Sequence, residues 1–329
     1  MREDRPLARR PFLGALAACA AGLPLAASAA DTYPSRPLRF VVNFPPGGAS
    51  DIMARLFALK LGEALRQSIL IDNRPGAGGA IGTVYAAHQP ADGYTFMIGT
   101  LGSTIVQPLL TKVPYDMARD FMPVSLIGTG PAVLVVNPAS PWRDLPQFIA
   151  AAKARPEGLN FGSGGNGTFG HLVGEMVNQA AGLHMQHVPY KGGIQALNDV
   201  MAGQVDTLAG DPQAVLPHIK SGKLRALAVS ATRRFALLPE VPTFAEYGLP
   251  EVVAVNSWSI YLPAGVPQAE FRTFRAALDK AMTDPDLVRR FTELGAESLH
   301  TSPEELRRFT AGETVKYARL IKEKDIKGE

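Results

Sequence analysis

Short runs of β-branched and aromatic residues alternate along the chain with longer stretches whose apolar positions have helical spacing. This alternation is typical of βαβ units built on a mostly parallel sheet, and it predicts an α/β fold. The predicted strands are Leu38–Phe44, Ile69–Asn73, Tyr94–Thr100, Leu159–Gly162, Met185–Tyr190, Val205–Ala209 and Leu224–Ser230. The predicted helices are Asp51–Leu65, Leu145–Ala154, Thr168–Ala181, Gly193–Ala202 and Pro212–Ser221.

Two long extended stretches interrupt the alternation of strands and helices, because neither contains a helix of its own. They are Phe121–Asn137 and Val252–Pro263. A chain that crosses between two lobes once outward and once back would contain two such strands. The alternative is a pair of edge strands in a single sheet. Beyond the second stretch, the segments Pro267–Leu294 and Pro303–Lys324 have the amphipathic spacing of helices that pack on a surface.

The crossing arrangement predicts a discontinuous first lobe and an inserted second lobe. The first lobe would comprise residues 31–130 and 254–329, and the second lobe residues 131–253. Two parallel or mixed sheets would then be joined by two crossover strands, with a hinge near residues 128–133 and 254–259.

The first thirty residues form a predicted export signal. Four arginines precede an apolar, alanine-rich run from Phe12 to Ala27, which ends in small residues suited to cleavage after residue 30. Gly22 and Pro24 interrupt the run, which disfavours a permanent membrane anchor. A buried N-terminal helix is the alternative.

Two finer motifs lie within this segment. Arg9-Arg10-Pro11-Phe12-Leu13 has the form of a twin-arginine signal, and Leu16-Ala17-Ala18-Cys19 resembles a lipoprotein cleavage box. A good cleavage site follows, so we expect Cys19 to leave with the signal rather than to carry a lipid. Either route predicts a periplasmic protein.

Composition narrows the class of protein. The 329 residues exceed one ordinary domain of about 100–200 residues, so two domains are expected. Lys and Arg number 33 and Asp and Glu 30, and they are scattered, which argues against a nucleic-acid partner. A single cysteine excludes an internal disulfide or a thiolate metal site, and we expect no metal and no cofactor.

The candidate chemistry lies in loops between a strand and a helix. The first strand leads into Phe44-Pro45-Pro46-Gly47-Gly48-Ala49-Ser50-Asp51, where glycines let backbone N–H groups approach a ligand and Ser50 or Asp51 can cap the helix. A helix N-terminus of this kind is an anion site. The alternative is an ordinary strand-to-helix turn with a capping residue.

The same arrangement recurs in the predicted second lobe. Strand 159–162 enters Gly162-Ser163-Gly164-Gly165-Asn166-Gly167-Thr168, and further helix starts follow at Tyr190–Gly193 and Asp211–Gln213. In open α/β sheets ligands bind beyond the carboxyl ends of the strands, where all these loops fall. Together they predict a cleft with N–H donors on both walls.

The electrostatics of this cleft favour an anion, because several helix N-termini converge there. Lys191 would add a positive charge, and the hydroxyls of Ser163, Thr168, Thr100 and Ser103 would add donors. Lys191 is equally consistent with a solvated loop, and Thr168, Asp51 and Asp211 with helix caps. An Asp211 that faces the cleft would suit an ammonium or hydroxyl group on the ligand.

Several enzyme-like patterns are incomplete. Gly162-x-Gly164-x-x-Gly167 matches the dinucleotide fingerprint but lacks the acidic residue about twenty positions later. The segment Gly76–Thr83 lacks the lysine of a phosphate loop, and Phe161 replaces the glycine that a nucleophile elbow at Ser163 requires. His184 and His187 would point to opposite faces of a strand, which excludes a shared metal.

The spaced motifs closely resemble the Bug family of extracytoplasmic solute-binding proteins, which serve tripartite tricarboxylate transporters. The motifs are Phe44–Asp51, Asp72-Asn73-Arg74-Pro75-Gly76-Ala77-Gly78-Gly79, Pro90-Ala91-Asp92-Gly93-Tyr94-Thr95, His187-Val188-Pro189-Tyr190-Lys191-Gly192, Ala202-Gly203-Gln204-Val205 and Gly222–Ala228. The resemblance covers essentially the whole chain after residue 30. It implies the two-lobed periplasmic-binding-protein fold (type II), a monomer that closes on a small carboxylate, and no catalysis.

The resemblance also implies a ligand held largely by backbone groups and waters, with partners that are membrane permease subunits or, alternatively, a sensor kinase. An exported enzyme acting on a small acid is a further alternative. Gly210 departs from the family pattern, which more often has a bulky apolar residue before Asp211. The candidate ligand-binding residues are Gly47, Gly48, Ala49, Ser50, Asp51, Thr100, Ser103, Ser163, Asn166, Gly167, Thr168, His171, Tyr190, Lys191 and Asp211.

Overall fold

The computed structural model describes residue 1, residues 33–155 and 158–323, and residue 326. The predicted export signal, its twin-arginine motif and the question of lipid on Cys19 fall on residues 1–30 and so lie outside the described part of the chain, residue 1 excepted. Among the described residues, no helix combines the length and the hydropathy that a membrane span needs.

The first part of the described chain alternates strands and helices. Its elements are β1 (Leu38–Val42), α1 (Ala49–Leu65), β2 (Ile69–Asn73), α2 (Ala80–Ala87), β3 (Thr95–Thr100), α3 (Gln107–Leu110), α4 (Met117–Asp120) and β4 (Phe121–Pro131). A 3-10 turn at Ala77–Gly79 precedes α2, and a π-helical turn at Gly102–Val106 follows β3.

The middle part has the same alternation, and the last part is mainly helical. The middle elements are β5 (Val133–Val136), α5 (Leu145–Ala154), β6 (Asn160–Ser163), α6 (Phe169–Ala181), β7 (Gln186–Pro189), α7 (Gly193–Met201), β8 (Thr207–Gly210), α8 (Pro212–Lys220) and β9 (Arg225–Val229). The last elements are β10 (Val255–Pro263), α9 (Gln268–Met282), α10 (Pro285–Glu293), β11 (Glu297–Ser298) and α11 (Pro303–Glu323).

The strands form two mixed sheets. The first sheet has the order β11-β4-β10-β3-β1-β2, with β1 parallel to β2 and β3, and β10 antiparallel to β3 and β4. The second has the order β7-β6-β8-β5-β9, with β6 parallel to β7 and β8, and β5 antiparallel to β8 and β9. We call the first sheet with its helices the first lobe and the second sheet with its helices the second lobe.

The long stretch 121–137, predicted to cross between the lobes, is divided between the two sheets at Ala132. β4 lies in the first sheet and β5 in the second, and the chain returns to the first sheet at β10. The alternative of two edge strands is wrong, because β4 and β10 each have a neighbour on both sides.

Ser230 joins the two crossover segments. Its hydroxyl accepts a hydrogen bond from the Ala132 N–H at 2.8 Å and donates to the Ala254 carbonyl at 2.7 Å. Its backbone N–H donates to the Ala132 carbonyl, and its carbonyl accepts from the Ala254 N–H, each at 3.0 Å. One buried residue therefore ties together the outgoing and returning chains.

The predicted helix Pro267–Leu294 is in fact two helices, α9 and α10. Asp284 caps α10 by accepting from the N–H groups of Asp286 and Leu287, and a residue before proline disfavours helical torsions. The predicted bounds of β2 and α5 are confirmed.

Apolar clusters hold each lobe and also link them. In the first lobe Phe96 stacks on Phe40 with 4.3 Å between ring centroids and meets Phe274 of α9 edge to face. Another cluster combines Val106 and Tyr317 with residues of α6 in the second lobe. The lobes are thus in contact around the strand ends where the candidate loops lie.

Candidate functional site

A cavity of about 80 Å³ lies where the carboxyl ends of strands from both sheets meet. One water molecule needs roughly 10–15 Å³ by the same measure, so a small organic molecule has room here. The first lobe contributes Phe44, Pro45, Gly48, Ala49, Ser50, Thr100 and Asn256 to its lining. The second lobe contributes Ser163, Gly164, Thr168, Phe169, Gly170, Gly193, Ile194, Leu197, Leu208, Ala209, Gly210, Asp211, Ala214 and Val215.

α1 begins at this cavity with backbone donors that no protein group uses. The preceding loop turns through Gly47 in the left-handed region (φ 79°), and Gly48 provides no side-chain cap. Among the described residues, the N–H groups of Ala49 and Ser50 have no acceptor, nor has the Ser50 hydroxyl a partner. These donors and the positive end of the helix dipole favour a bound anion.

Asp51 organises this loop and does not line the cavity. Its Oδ2 accepts from the Gly47 N–H at 3.0 Å and from Arg55 Nε at 2.8 Å, and its Oδ1 accepts from Asn73 Nδ2 at 3.0 Å. Burial raises the pKa of the Asp51 carboxyl, but these hydrogen bonds outweigh it and hold the pKa below its ordinary value. The ionised carboxylate fixes the turn that presents Ala49 and Ser50.

α6 begins at the cavity in the same way, from the second lobe. The Ser163 hydroxyl oxygen accepts from the Gly165 N–H at 3.0 Å, and the Thr168 hydroxyl donates to the Gly165 carbonyl at 2.7 Å. No side chain caps the helix, and the N–H groups of Phe169 and Gly170 have no acceptor in the described part of the chain. Two helices from different lobes therefore offer free backbone donors to one space.

Two further helices begin at the cavity. α7 starts after Gly192 without a side-chain cap, and the N–H groups of Gly193 and Ile194 have no acceptor among the described residues. At α8, Asp211 precedes Pro212, which has no N–H, and the Asp211 carboxylate accepts from Asn256 Nδ2 at 2.9 Å instead of capping the helix. Burial raises the pKa of Asp211 to about 6, and the hydrogen bond from Asn256 only partly offsets it.

A pair of stacked histidines supports the α6 loop. The rings of His171 and His187 lie 4.1 Å apart, and His187 Nε2 is 2.6 Å from the Ser163 hydroxyl. Burial lowers the pKa of His187 to about 4, so this ring is neutral at neutral pH. The Gly167 N–H donates to His171 Nδ1 at 3.0 Å, which requires a lone pair on that nitrogen. Neither ring lines the cavity, although Ser163 does.

The lobes touch around the rim of the cavity. A Cβ on Gly192 would lie 2.4 Å from Pro45 Cγ of the first lobe, and one on Gly102 would lie 3.1 Å from the Gly167 carbonyl oxygen of the second. The Gln107 amide donates to the Asn166 carbonyl, which also crosses between the lobes. The structure is therefore a closed arrangement.

The structure brings seven of the fifteen candidate residues to the cavity wall. They are Gly48, Ala49, Ser50, Thr100, Ser163, Thr168 and Asp211. The other eight are Gly47, Asp51, Ser103, Asn166, Gly167, His171, Tyr190 and Lys191.

These eight residues have other contacts. Ser103 bonds to Thr100, Tyr190 donates its hydroxyl to Asp199, and Lys191 is exposed, with its N–H bonded to Gln195. Gly47 and Asp51 bond to each other, as do Gly167 and His171, and the Asn166 carbonyl accepts from Gln107. Direct contact of these eight residues with a ligand stays a prediction.

Sequence reasoning missed Asn256 and His187. Asn256 lies on the returning strand β10, which was predicted only as a crossover strand with a hinge near residues 254–259. His187 was considered only as a metal ligand, whereas the parallel pairing of β6 with β7 brings it beside Ser163. Within the residues that the structure describes, no group of three His, Cys, Asp or Glu could hold a metal ion.

Comparisons with known proteins agree with this geometry. Residues 53–326 match the family model TctC, described as "Tripartite tricarboxylate transporter family receptor". The protein BugT of Bordetella pertussis is 37% identical over 300 residues, covering 91% of this chain and 92% of its own.

Two solved structures share the fold. The periplasmic binding protein BugD is 29% identical with a TM-score of 0.87, covering 90% of this chain and 100% of its own. Rpa4515 of R. palustris, solved with adipate, is 33% identical with a TM-score of 0.85, covering 90% of this chain and 99% of its own.

Proposed function

The chain belongs to the TctC family of tripartite tricarboxylate transporter receptors, and we propose that it is a periplasmic solute-binding protein that captures a small carboxylate between its two lobes. Four helix N-termini without side-chain caps, drawn from both lobes, border one cavity. This observation carries the proposal, because free backbone donors and helix dipoles bind an anion without a basic side chain. The adipate in Rpa4515 supports it, since adipate is a carboxylate.

The residues proposed to contact the ligand are those on the cavity wall that carry free donors. The backbone N–H groups of Ala49, Ser50, Phe169 and Gly170 would hold the carboxylate oxygens, assisted by the Ser50 hydroxyl and by the Thr100 hydroxyl, which also bonds to Ser103. Asp51, His171 and His187 would act indirectly, by fixing the two loops.

The proposed cycle is a hinge closure between lobes formed by residues 31–130 with 254–329 and by residues 131–253. Contacts such as Pro45 with Gly192 form only when both lobes meet, so ligand binding and closure would be linked. The closed form would then deliver its ligand, chemically unchanged, to the membrane permease subunits of the transporter. Export would follow from the signal predicted in residues 1–30.

The test is a thermal-shift screen of the purified protein against mono-, di- and tricarboxylates, amino acids and aromatic acids, followed by calorimetry of the hits. We expect saturable stabilisation by at least one carboxylate and recovery of that compound unchanged by mass spectrometry. The matched amide or alcohol of each hit serves as control and should not bind. Conversion of a hit to product, or no stabilisation by any carboxylate, would contradict the proposal.

A further inference from the structure

Asp211 is the one charged side chain on the cavity wall within the described residues. The remaining polar side chains there, namely Ser50, Thr100, Ser163, Thr168 and Asn256, are neutral. A site proposed to bind anions thus contains a carboxylate of its own. The negative charge that the ligand can carry depends on how far the helix N-termini offset the charge of Asp211.

The charges of the cavity leave room for about one negative charge on the ligand. Each helix N-terminus carries roughly half a positive charge, so α1, α6, α7 and α8 together supply about two. Ionised Asp211 cancels about one of these. The pKa of about 6 means that Asp211 is largely ionised at neutral pH when the cavity holds no ligand.

The Asp211 carboxylate lies at the N-terminus of α8 and offsets the positive charge there. The N-termini of α1, α6 and α7 remain for the carboxylate of the ligand. α8 lacks one donor because Pro212 is its first residue, and the carboxylate of Asp211 lies at the same helix end. Asn256 of β10 holds that carboxylate in place. A second ligand carboxylate directed toward α8 would therefore meet a fixed negative charge and a helix end with fewer donors.

Part of the second-lobe wall carries apolar side chains. Ile194 and Leu197 of α7, Leu208 of β8 and Val215 of α8 line it. Gly210 lies between them, and a Cβ there would be 2.5 Å from Val215 Cγ1 and 2.9 Å from Leu208 Cδ1. This part of the wall suits a hydrocarbon or aromatic body of the ligand, and its side chains offer no hydrogen bond or opposite charge to a charged group.

We propose that the ligand is a monocarboxylate with an apolar body, and that Asp211, held by Asn256, excludes molecules with a second ionised carboxylate. This inference rests on the proposed function and narrows its ligand class. The proposed ligand thus differs from the dicarboxylate adipate with which Rpa4515 was solved.

The test compares matched acids of equal chain length, hexanoate with adipate and benzoate with terephthalate, by calorimetry at neutral pH. The proteins are the unaltered chain, Asp211→Asn and the control Asp206→Asn. Asp206 is a half-buried acid of the same lobe that does not line the cavity. Asparagine at 211 keeps the oxygen that accepts from Asn256 and removes only the charge.

We expect the unaltered protein to bind the monocarboxylate of at least one pair about tenfold or more tightly than its dicarboxylate. Asp211→Asn should reduce or reverse this ratio, whereas Asp206→Asn should leave it unchanged. Equal or tighter binding of the dicarboxylates by the unaltered protein, or an unchanged ratio in Asp211→Asn, would overturn the inference while leaving the carboxylate-binding function intact. Failure of every carboxylate in the wider screen would instead overturn the proposed function.

Discussion

Asp51 and Asp211 show how the surroundings of a carboxylate decide its use. Both residues lie at the start of a helix beside the cavity. The Asp51 carboxylate accepts hydrogen bonds from Gly47, Arg55 and Asn73, whereas the Asp211 carboxylate accepts a hydrogen bond from Asn256. The pKa is accordingly lowered at Asp51 and raised at Asp211. Asp51 is therefore a fixed structural charge, and Asp211 is a charge placed in the cavity at a cost in stability.

This cost predicts a pH-dependent effect of Asp211→Asn on the ligand-free protein. The pKa of Asp211 is raised from 3.8 to about 6, so folding favours the protonated form and that stabilisation is lost as pH rises from about 4 to about 6. Asp211→Asn should therefore be more stable than the unaltered protein at neutral pH by up to about 3 kcal/mol, and equally stable near pH 4.

Thermal unfolding of both proteins across this pH range measures the difference. His187, whose pKa is about 4, destabilises both proteins alike on acidification, so its contribution cancels in the comparison. A constant difference between the two melting temperatures from pH 4 to neutral pH would contradict the prediction.

At the residue scale the sequence indicated loops better than side-chain roles. Gly48, Ala49 and Ser50 could be placed at the cavity because the same glycine-rich strand-to-helix turn recurs in both predicted lobes. The Lys191 side chain is exposed and does not line the cavity, which matches the solvated loop that the sequence left open as its alternative. The bond between Asn256 and Asp211 joins residues 45 positions apart, and no local pattern specifies it.

At the element scale, some helices begin with a side-chain cap and others do not; α2 and α9, which do not line the cavity, also lack one. α4, α5 and α10 begin with Asp116, Asp144 and Asp284, whose side chains accept from first-turn N–H groups. The four helices that begin at the cavity have no such side-chain cap. The unused donors are consistent with ligand binding, because a capping carboxylate would occupy the same N–H groups.

The Ser230 hydroxyl bonds to both segments that cross between the sheets, so we expect its removal to destabilise the fold. Ser230→Ala leaves the buried Ala132 N–H and Ala254 carbonyl without the hydroxyl, which costs about 1–3 kcal/mol of unfolding free energy. Denaturant unfolding measures this loss. Ser221→Ala is the control, because that hydroxyl makes an exposed bond to His218, and it should change stability by less than about 0.5 kcal/mol. Equal losses in the two variants would contradict a special role for Ser230.

Element boundaries followed from sequence where local signals were strong. The periodic pattern of α5 and the β-branched run of β2 fixed both at their observed bounds. The stretch Phe121–Asn137 was predicted to cross between the lobes with a hinge near residues 128–133, and the structure divides it between the two sheets at Ala132. The break between α9 and α10 was missed although Asp284-Pro285 carries a local signal for it.

At the scale of the whole molecule, closure is defined by contacts between the lobes. Gly192 packs on Pro45, and its φ of 175° is extended backbone that any residue adopts. A methyl group there would clash with a rigid ring only when the lobes are closed. The paired sheets were predictable from the alternation of elements, but this closed packing was not, since it depends on side chains distant in the sequence.

Gly192→Ala should therefore weaken ligand binding while each lobe stays folded. Overpacking costs about 1–3 kcal/mol, and a penalty confined to the closed form lowers affinity roughly 5- to 150-fold. Gly312→Ala in α11, where a Cβ meets nothing within 4 Å, is the control and should bind normally. Calorimetry gives the affinities, and small-angle scattering should show reduced closure on ligand addition. Unchanged affinity in Gly192→Ala would contradict closure through this contact.

The most direct test of the central claim is a crystal structure of the protein with the carboxylate that binds it most tightly. We predict that the ligand lies between the lobes, with its carboxylate oxygens within hydrogen-bond distance of the N–H groups of Ala49 or Ser50 and of Phe169 or Gly170. A ligand bound elsewhere, or a carboxylate held in the cavity by a basic side chain, would contradict it.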